Sequence, residues 1–210
     1  KVIGTVFEYE GKTSSWQTFS DSEAIQDWAK GHISALFDDG LIKGNENGAF
    51  LPDVKLTRAE AVAILDRAIG DIFDTTDKIY DNINIAGNLI VNKPRIKLQN
   101  ISVEKNLYFS EGVYEGNLSL TGIMVKENTY IKCPSSQDIT ITNCSTNKLF
   151  LSATTSSVKV LGGSIPSIDI FQPSKLNIAQ DANVSTIYVG PSASGTVITC
   201  KPGVLIKVDA

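Results

Sequence analysis

A single cation at the start of a short predicted helix is the residue of this chain best placed to bind a charged ligand. Thr57 and Glu60 have the T-x-x-E spacing of a capping box, in which each side chain satisfies a backbone N–H that otherwise lacks a partner. The box predicts a helix that begins at Arg58. A cation in the first turn of a helix is disfavoured by about 0.3–1 kcal/mol, and an anionic partner would reverse that penalty. We therefore expect Arg58 to bind an anion, and the alternative is a local ion pair with Asp53 or Glu60.

The remaining residues offer little for catalysis. His32 is the only histidine, so a histidine triad or a histidine-rich metal site would need a partner chain. Asp138, Asp169 and Asp181 fall at different phases of the repeats described below, so they do not converge on one face. No glycine-rich phosphate loop follows a predicted strand. We therefore predict a non-enzymatic protein with no cofactor and no metal site.

Two helices joined by a glycine-rich loop must position Arg58. The apolar residues of the second helix recur at three- and four-residue steps and predict one buried face. They are Ala61, Val62, Leu65, Ala68 and Ile69. Gly70 can adopt the left-handed conformation that ends this helix. Ser20 and Glu23 predict a second capping box, for an upstream helix that carries Trp28 in its apolar stripe and ends at Gly40.

The order and spacing of these elements resemble the S-layer homology module. The matching residues are Phe19, Ser20 and Asp21, Trp28 and Ala29, residues 40–44 (GLIKG), residues 48–52 (GAFLP) and residues 56–60 (LTRAE). The resemblance covers residues 19–70, and TRAE is its most specific part. It implies a secreted protein that is anchored to a pyruvylated secondary polysaccharide of the bacterial cell wall or S-layer. It also implies three modules around ligand grooves, so we expect further modules in cis or in trans.

The resemblance assigns binding roles to five residues, each with a structural alternative. Arg58 is expected to meet the carboxylate of a pyruvate ketal, and Trp28 to line the sugar groove unless it is a core residue. Asp21, Gly44 and Asn45 are expected at the groove rim. Asp21 could instead cap its helix, and Gly44 could simply form a turn.

Short repeated strands fill the second part of the chain. A five-residue pattern that alternates apolar and polar residues and ends in Gly or Asn recurs at residues 83–87, 96–100, 118–122, 139–143 and 158–162. Gly and Asn tolerate the positive φ that a sharp corner needs. A period near 20 residues with inward Ile, Leu and Val predicts a right-handed parallel β-helix over residues 83–210. These repeats also resemble the β-helical segments that accompany S-layer homology modules, and an up-and-down β-sandwich is the alternative.

The rest of the chain is assigned by local pattern. Residues 1–18 are predicted to form a strand and a tether, and residues 71–82 are predicted to connect the two domains. The fold class is thus α+β and multidomain, with a small helical module before the β-helix. Cys133, Cys144 and Cys200 are odd in number, which favours buried free thiols over a disulfide, although one pair is possible.

Charge and hydropathy exclude several partners. Residues 1–75 carry seven Lys and Arg against thirteen Asp and Glu, whereas residues 76–210 carry twelve against ten. This balance argues against nucleic acid and against a polybasic membrane surface. No stretch is long and apolar enough to span a bilayer. An acidic module needs a local pocket to bind an anionic polymer.

We therefore predict a wall-anchored surface protein whose β-helix is a scaffold or spacer. One alternative is a β-helix that binds or cleaves polysaccharide. Tyr108, Tyr130, Phe150 and Tyr188 lie near one register and would then form a glycan ladder, although stacking between coils also explains them. A third possibility is self-assembly through end-to-end packing of coils.

Overall fold

Helical and strand periodicity occupy separate parts of the sequence, and the structure divides accordingly. The computed structural model describes residues 2–6, 11, 13–133, 138–153 and 157–209. Two compact units are formed by Lys1–Ala68 and Ile69–Ala210. The first is helical, and the second is a parallel β-helix of about seven coils. The predicted α+β architecture is confirmed, and the parallel pairing excludes an up-and-down sandwich; the right hand of the winding stays a prediction.

The helical unit begins with a helix and not with the predicted strand. It contains α1 (Val2–Val6), two 3₁₀ turns (Ser15–Thr18 and Ser22–Ala24), α2 (Asp27–Asp38) and α3 (Arg58–Ile69). The alternating pattern at residues 2–6 predicted a strand, but the segment is a helix that lies against α2, where a Cβ at Gly4 would be 2.6 Å from His32 Nδ1. Residues 7–10 of the predicted strand lie outside the described residues.

The upstream capping box is also wrong. α2 begins at Asp27 after a 3₁₀ turn, and the Ser20 hydroxyl donates to the Asn47 carbonyl at 3.2 Å. Ser20 therefore joins the loop before α3 to the segment before α2, and does not cap α2. The predicted end at Gly40 is confirmed by its φ of 70°.

The core of the helical unit gathers around Phe19. The Phe19 ring lies 5.1 Å from the ring of Phe37 and 5.2 Å from that of Phe50, measured between centroids. The buried apolar residues are Phe19, Ile25, Ile33, Leu36, Leu41, Ile42 and Ala68. This core joins both helices and their loop into one module.

α3 buries a different face from the one predicted. Ala68 is buried and Ile64 packs against the core, whereas Val62 and Leu65 are 64% and 42% exposed. With 3.6 residues per turn, Leu65 and Val62 lie about 80° and about 140° around the helix from the line through Ile64 and Ala68. The apolar residues of α3 thus form two stripes, and only one is covered within the module.

The described residues of the β-helix form sixteen strands. In chain order they are β1 (Asp71–Phe73), β2 (Ile79–Ile85), β3 (Leu89–Val91), β4 (Lys97–Val103), β5 (Leu107–Phe109), β6 (Leu118–Thr121), β7 (Met124–Val125), β8 (Asn128–Ile131), β9 (Asp138–Ser145), β10 (Lys148–Leu151), β11 (Ser157–Ser164), β12 (Ser167–Ile170), β13 (Lys175–Ile178), β14 (Thr186–Val189), β15 (Val197–Thr199) and β16 (Leu205–Val208). One parallel sheet has the order β1-β3-β5-β8-β10-β12-β14-β16. The other has the order β15-β13-β11-β9-β6-β4-β2, with β7 paired to β4 and β9.

The first coil starts earlier than predicted. Residues 71–82 are not a connection, because β1 pairs in parallel with β3, and β2 begins at Ile79. The Asp71 N–H donates to the Asn88 carbonyl at 2.9 Å. The high Asp and Thr content of this stretch predicted a loop, but the stretch belongs to the first coil. Its Phe73 and Tyr80 rings are buried and stacked, with centroids 3.7 Å apart.

Corner residues with positive φ lie in one column through five coils. They are Asn82, Asn100, Gly122, Asn143 and Gly162, with φ between 50° and 76°. Gly87 does not belong to this column, which corrects the prediction for the first coil. Ile83 pairs with Ile101, immediately after Asn100, so Asn82 is the corner residue of that coil.

A second column of asparagines joins neighbouring coils and was not predicted. The Asn106 N–H donates to Asn88 Oδ1 and the Asn128 N–H donates to Asn106 Oδ1, each at 3.0 Å. Asn88 and Asn106 are buried. Their amide oxygens therefore satisfy backbone donors at the turn before the first sheet.

Candidate functional site

The helix that carries Arg58 starts as its sequence predicts. The Thr57 N–H donates to Glu60 Oε2 at 2.8 Å, and the Glu60 N–H donates to Thr57 Oγ1 at 3.2 Å. The Thr57 hydroxyl also donates to Glu60 Oε2 at 2.6 Å. These bonds, led by that from the hydroxyl, lower the pKa of Glu60 below its usual value. The capping box is confirmed, and Glu60 has a structural role.

Arg58 itself is exposed. Its neighbour Glu60 is bound to Thr57, and across the described ranges no hydrogen bond or ion pair holds the Arg58 guanidinium. The alternative of a local ion pair with Asp53 or Glu60 is therefore not what the structure contains. A guanidinium in this position can form two parallel hydrogen bonds with a carboxylate, close to the free N–H groups of the first helical turn.

Asp21 holds the loop before α3. Its Oδ1 accepts the Phe50 N–H and its Oδ2 accepts the Leu51 N–H, both at 2.7 Å. These two bonds, led by that from Phe50, lower the pKa of Asp21. Asp21 makes no side-chain cap for the turn that follows it. Both of its oxygens are thus engaged by backbone donors.

Asn45 and Gly44 shape the same loop. Asn45 Oδ1 accepts the N–H groups of Asn47 and Ala49, both at 2.9 Å. A Cβ at Gly44 would lie 2.9 Å from the carbonyl carbon of Gly48, so only glycine permits this approach. The structure therefore gives both residues a role in the loop itself. Their expected contacts with a ligand remain a prediction.

Trp28 lies on the surface of α2. Its side chain is 63% exposed, so the alternative of a core tryptophan is wrong for this module. A tryptophan at the surface can pack on the apolar face of a pyranose ring. The groove that Trp28 was expected to line remains a prediction.

An exposed apolar stretch brackets Arg58 along the chain, and the sequence reasoning missed it. Val54 and Leu56 precede Arg58, Val62 and Leu65 follow it on α3, and all four side chains are more than two-fifths exposed. We call these four residues the apolar flank. The sequence feature that could have revealed the apolar flank is the second apolar stripe of α3. It was missed because the three- and four-residue periodicity assigned the residues of both stripes to one buried face.

The aromatic residues of the β-helix stack on one another. Ring centroids are 4.8 Å apart for Tyr108 and Tyr130 and 4.6 Å apart for Tyr130 and Phe150, with nearly parallel planes. Tyr130 is only 3% exposed. Tyr188 shares their register, but Asp169 separates it from Phe150. Because the ring faces of the central rings cover each other, the arrangement favours packing between coils over a glycan platform.

The three cysteines are free thiols, as expected. Cys133 and Cys144 are buried, and Cys200 is half-buried. Burial raises the pKa of Cys133 to about 11 and also raises that of Cys144. Within the described residues, no group of three or more His, Cys, Asp and Glu side chains could hold a metal ion. No helix in those same residues is long and apolar enough to cross a membrane.

Comparison with known proteins assigns the helical unit. Residues 18–62 match the family model of the S-layer homology domain. The chain carries an S-layer homology domain. This domain indicates a protein of the cell surface, S-layer or cell wall, and its match includes the loop, the capping box and Arg58. No solved structure matches the chain.

Two curated proteins share sequence with the chain. A surface-layer 125 kDa protein of Lysinibacillus sphaericus is 31% identical over 88 residues, which are 40% of this chain and 7% of that protein. An amylopullulanase of Thermoanaerobacterium thermosulfurigenes is 36% identical over 58 residues, which are 28% of this chain and 3% of that enzyme. The chain thus spans a small part of both relatives.

Proposed function

We propose that the S-layer homology domain anchors this protein to a pyruvylated secondary polysaccharide of the cell wall, with Arg58 binding the pyruvate carboxylate. The observation that carries the proposal is an exposed guanidinium at the capped start of α3, with no acidic partner in the part of the chain that the structure describes. Its charge and planar geometry suit a carboxylate. Trp28, exposed on α2, would contact the sugar ring.

The proposal includes further S-layer homology modules in cis or in trans. The apolar flank supports it, because a module that worked alone would leave Val54, Leu56, Val62 and Leu65 in water. A neighbouring module would cover these side chains and close the groove beside Arg58. The acidic charge of the module also favours this arrangement, since a closed groove shields a local cation from the surrounding carboxylates.

The β-helix is, in this proposal, a non-catalytic scaffold or spacer. Its inward column of aliphatic residues continues from coil to coil, and its central aromatic rings are used in stacking. A continuous stack of coils of this kind suits a spacer. The surface-layer relative supports a structural role of this kind.

A pull-down on purified cell walls, with and without their secondary polymer, tests the anchoring. The chain should bind intact walls, and Arg58→Ala should lower the bound fraction about tenfold or more, as expected for the loss of one charge-assisted bidentate contact. Val62→Asp should also weaken binding if modules must pack. Lys97→Ala is the matched control, because it removes one positive charge from the β-helix and should bind like the wild type. Equal binding by Arg58→Ala and the wild type would contradict the assignment.

A wall-tethered β-helix that binds or cleaves polysaccharide is the second candidate, favoured by the amylopullulanase relative. Release of reducing sugars from wall polysaccharide by the purified chain would support this candidate. It would also contradict the non-catalytic scaffold.

A further inference from the structure

We propose that Asp21 is a positioning residue of the polymer site, which holds the loop at Phe50 and Leu51 and so fixes the start of α3 where Arg58 lies. The inference rests on the proposed function of Arg58. It gives Asp21 an indirect role, in place of the direct ligand contact that the family resemblance implied.

Only the C-terminal end of α3 is held by burial in the core of the module. Ala68, near the end of the helix, is its only buried residue, whereas residues 51–60 are all exposed. Arg67 adds a bond to the far end, where its Nη1 donates to the Leu41 carbonyl at 3.1 Å. Packing therefore fixes the end of α3 that is remote from Arg58. The end that carries Arg58 depends on hydrogen bonds.

Asp21 supplies the hydrogen bonds that hold the loop before α3. The capping box of Thr57 and Glu60 acts only within the start of the helix. Going back along the chain from it, the next anchors on another part of the module are at Leu51 and Phe50. Their N–H groups both bind Asp21, across 30 and 29 residues, and the Phe50 ring also packs on Phe19. Asp21 belongs to the segment beside the buried Phe19, so the carboxylate ties the loop to the core.

The backbone of Leu51 has an unusual conformation. Its φ is 59°, a left-handed conformation that leucine rarely adopts. Its side chain is 43% exposed, so burial of that side chain does not compensate fully for the strain. Two charge-assisted bonds from Asp21 supply a physical reason for this conformation. They direct the chain toward the capping box.

The test uses a nearly isosteric change in the full chain. Asp21→Asn replaces one acceptor oxygen with an NH₂ group that would face a backbone N–H donor, so one of the two bonds must break. We expect binding to intact walls to fall about tenfold or more, the scale for losing one hydrogen bond to a charged group. Asp53→Asn is the matched control, since it removes an exposed carboxylate from the same loop and should bind like the wild type.

A second substitution keeps the test decisive if Asp21→Asn perturbs folding. Asparagine tolerates positive φ better than leucine. Leu51→Asn in the Asp21→Asn background should therefore recover part of the lost binding, whereas Leu51→Asn alone should stay within about twofold of the wild type. Urea midpoints of Asp21→Asn with and without Leu51→Asn separate this recovery from a general gain of stability, because a local effect restores binding without a matching rise in the midpoint.

Amide hydrogen exchange supplies a readout that does not involve the polymer. In Asp21→Asn at least one of the amides of Phe50 and Leu51 should exchange about tenfold faster, while those of α2 stay protected. Unchanged exchange at both amides, or wild-type binding by Asp21→Asn, would overturn the positioning role. If the wild type itself fails to bind in an Arg58-dependent way, the proposed function fails first and the role of Asp21 falls with it.

Discussion

Arg58 and Asp21 are both charged residues of the helical unit, but their surroundings give them different uses. Asp21 accepts two backbone N–H groups, whereas the guanidinium of Arg58 is exposed, without an acidic partner among the described residues. A carboxylate whose two oxygens both accept backbone N–H groups has less capacity to accept hydrogen bonds from a ligand. A guanidinium without a partner has its full set of donors available.

The hydrogen bonds of Asp21 predict a pH dependence of stability. Because its pKa is lowered in the folded state, the carboxylate stabilises the module above its unfolded pKa of about 3.9, and this contribution is lost as pH falls through the folded pKa. The difference in unfolding free energy between the wild type and Asp21→Asn should therefore be constant near neutral pH and shrink below about pH 4. Urea titrations followed by tryptophan fluorescence measure it, since Trp16 and Trp28 both belong to the module. A gap that widened in acid would contradict the assigned bonds.

At the scale of elements, corners set the shape of each coil. Positive φ recurs where Asn or Gly stands in the corner column, and Gly163 directly follows the corner at Gly162. Gly163 has a φ of 83°, and a Cβ there would lie 2.0 Å from the Cys144 carbonyl oxygen of the previous coil. Glycine is required at this position by conformation and by space together.

Two alanine substitutions separate these causes. Gly195 has a φ of 86° but no atom within 4 Å of an added Cβ. Gly195→Ala should therefore cost only the conformational strain, about 1–2 kcal/mol. Gly163→Ala adds a clash with backbone and should cost about 3 kcal/mol or more. Thermal unfolding followed by far-UV circular dichroism checks the order, and equal costs would contradict the close stacking of the coils.

At the scale of the whole molecule, the described residues form two separate cores. One gathers around Phe19 in the helical unit, and the other runs through the β-helix from Phe73 to Ala193. No residue belongs to both clusters. A core substitution should therefore lower the unfolding free energy only of the unit that contains it.

Phe19→Ala and Leu149→Ala test this separation. Both side chains are almost fully buried, so each change should cost about 2–5 kcal/mol within its own unit. Phe19→Ala should lower the urea midpoint seen by tryptophan fluorescence, because both tryptophans lie in the module. Leu149→Ala should leave that midpoint unchanged and lower only the transition of the β-helix seen by circular dichroism. A fluorescence midpoint that shifts in both variants would contradict independent cores.

The features that the sequence determined by itself are those that depend on local patterns. The capping box of Thr57 and Glu60, the left-handed ends at Gly40 and Gly70 and the corners at Asn100 and Gly122 were all predictable. Each depends on residues a few positions apart or on one residue's own conformational preference. The coil stack followed from the same reasoning, since a repeated pattern that cannot bury its apolar side alone must stack on its neighbours.

Tertiary structure alone decided the features that depend on distant residues. The Ser20 hydroxyl binds the Asn47 carbonyl and does not cap a helix, and Asp21 accepts the N–H of Phe50, 29 residues away. Gly4 lies in a helix close to His32, where the local alternation predicted a strand. The second apolar stripe of α3 became visible only when the core covered the first. A hydrogen bond or contact between distant segments leaves no period in the sequence, because its spacing is fixed by the path of the chain.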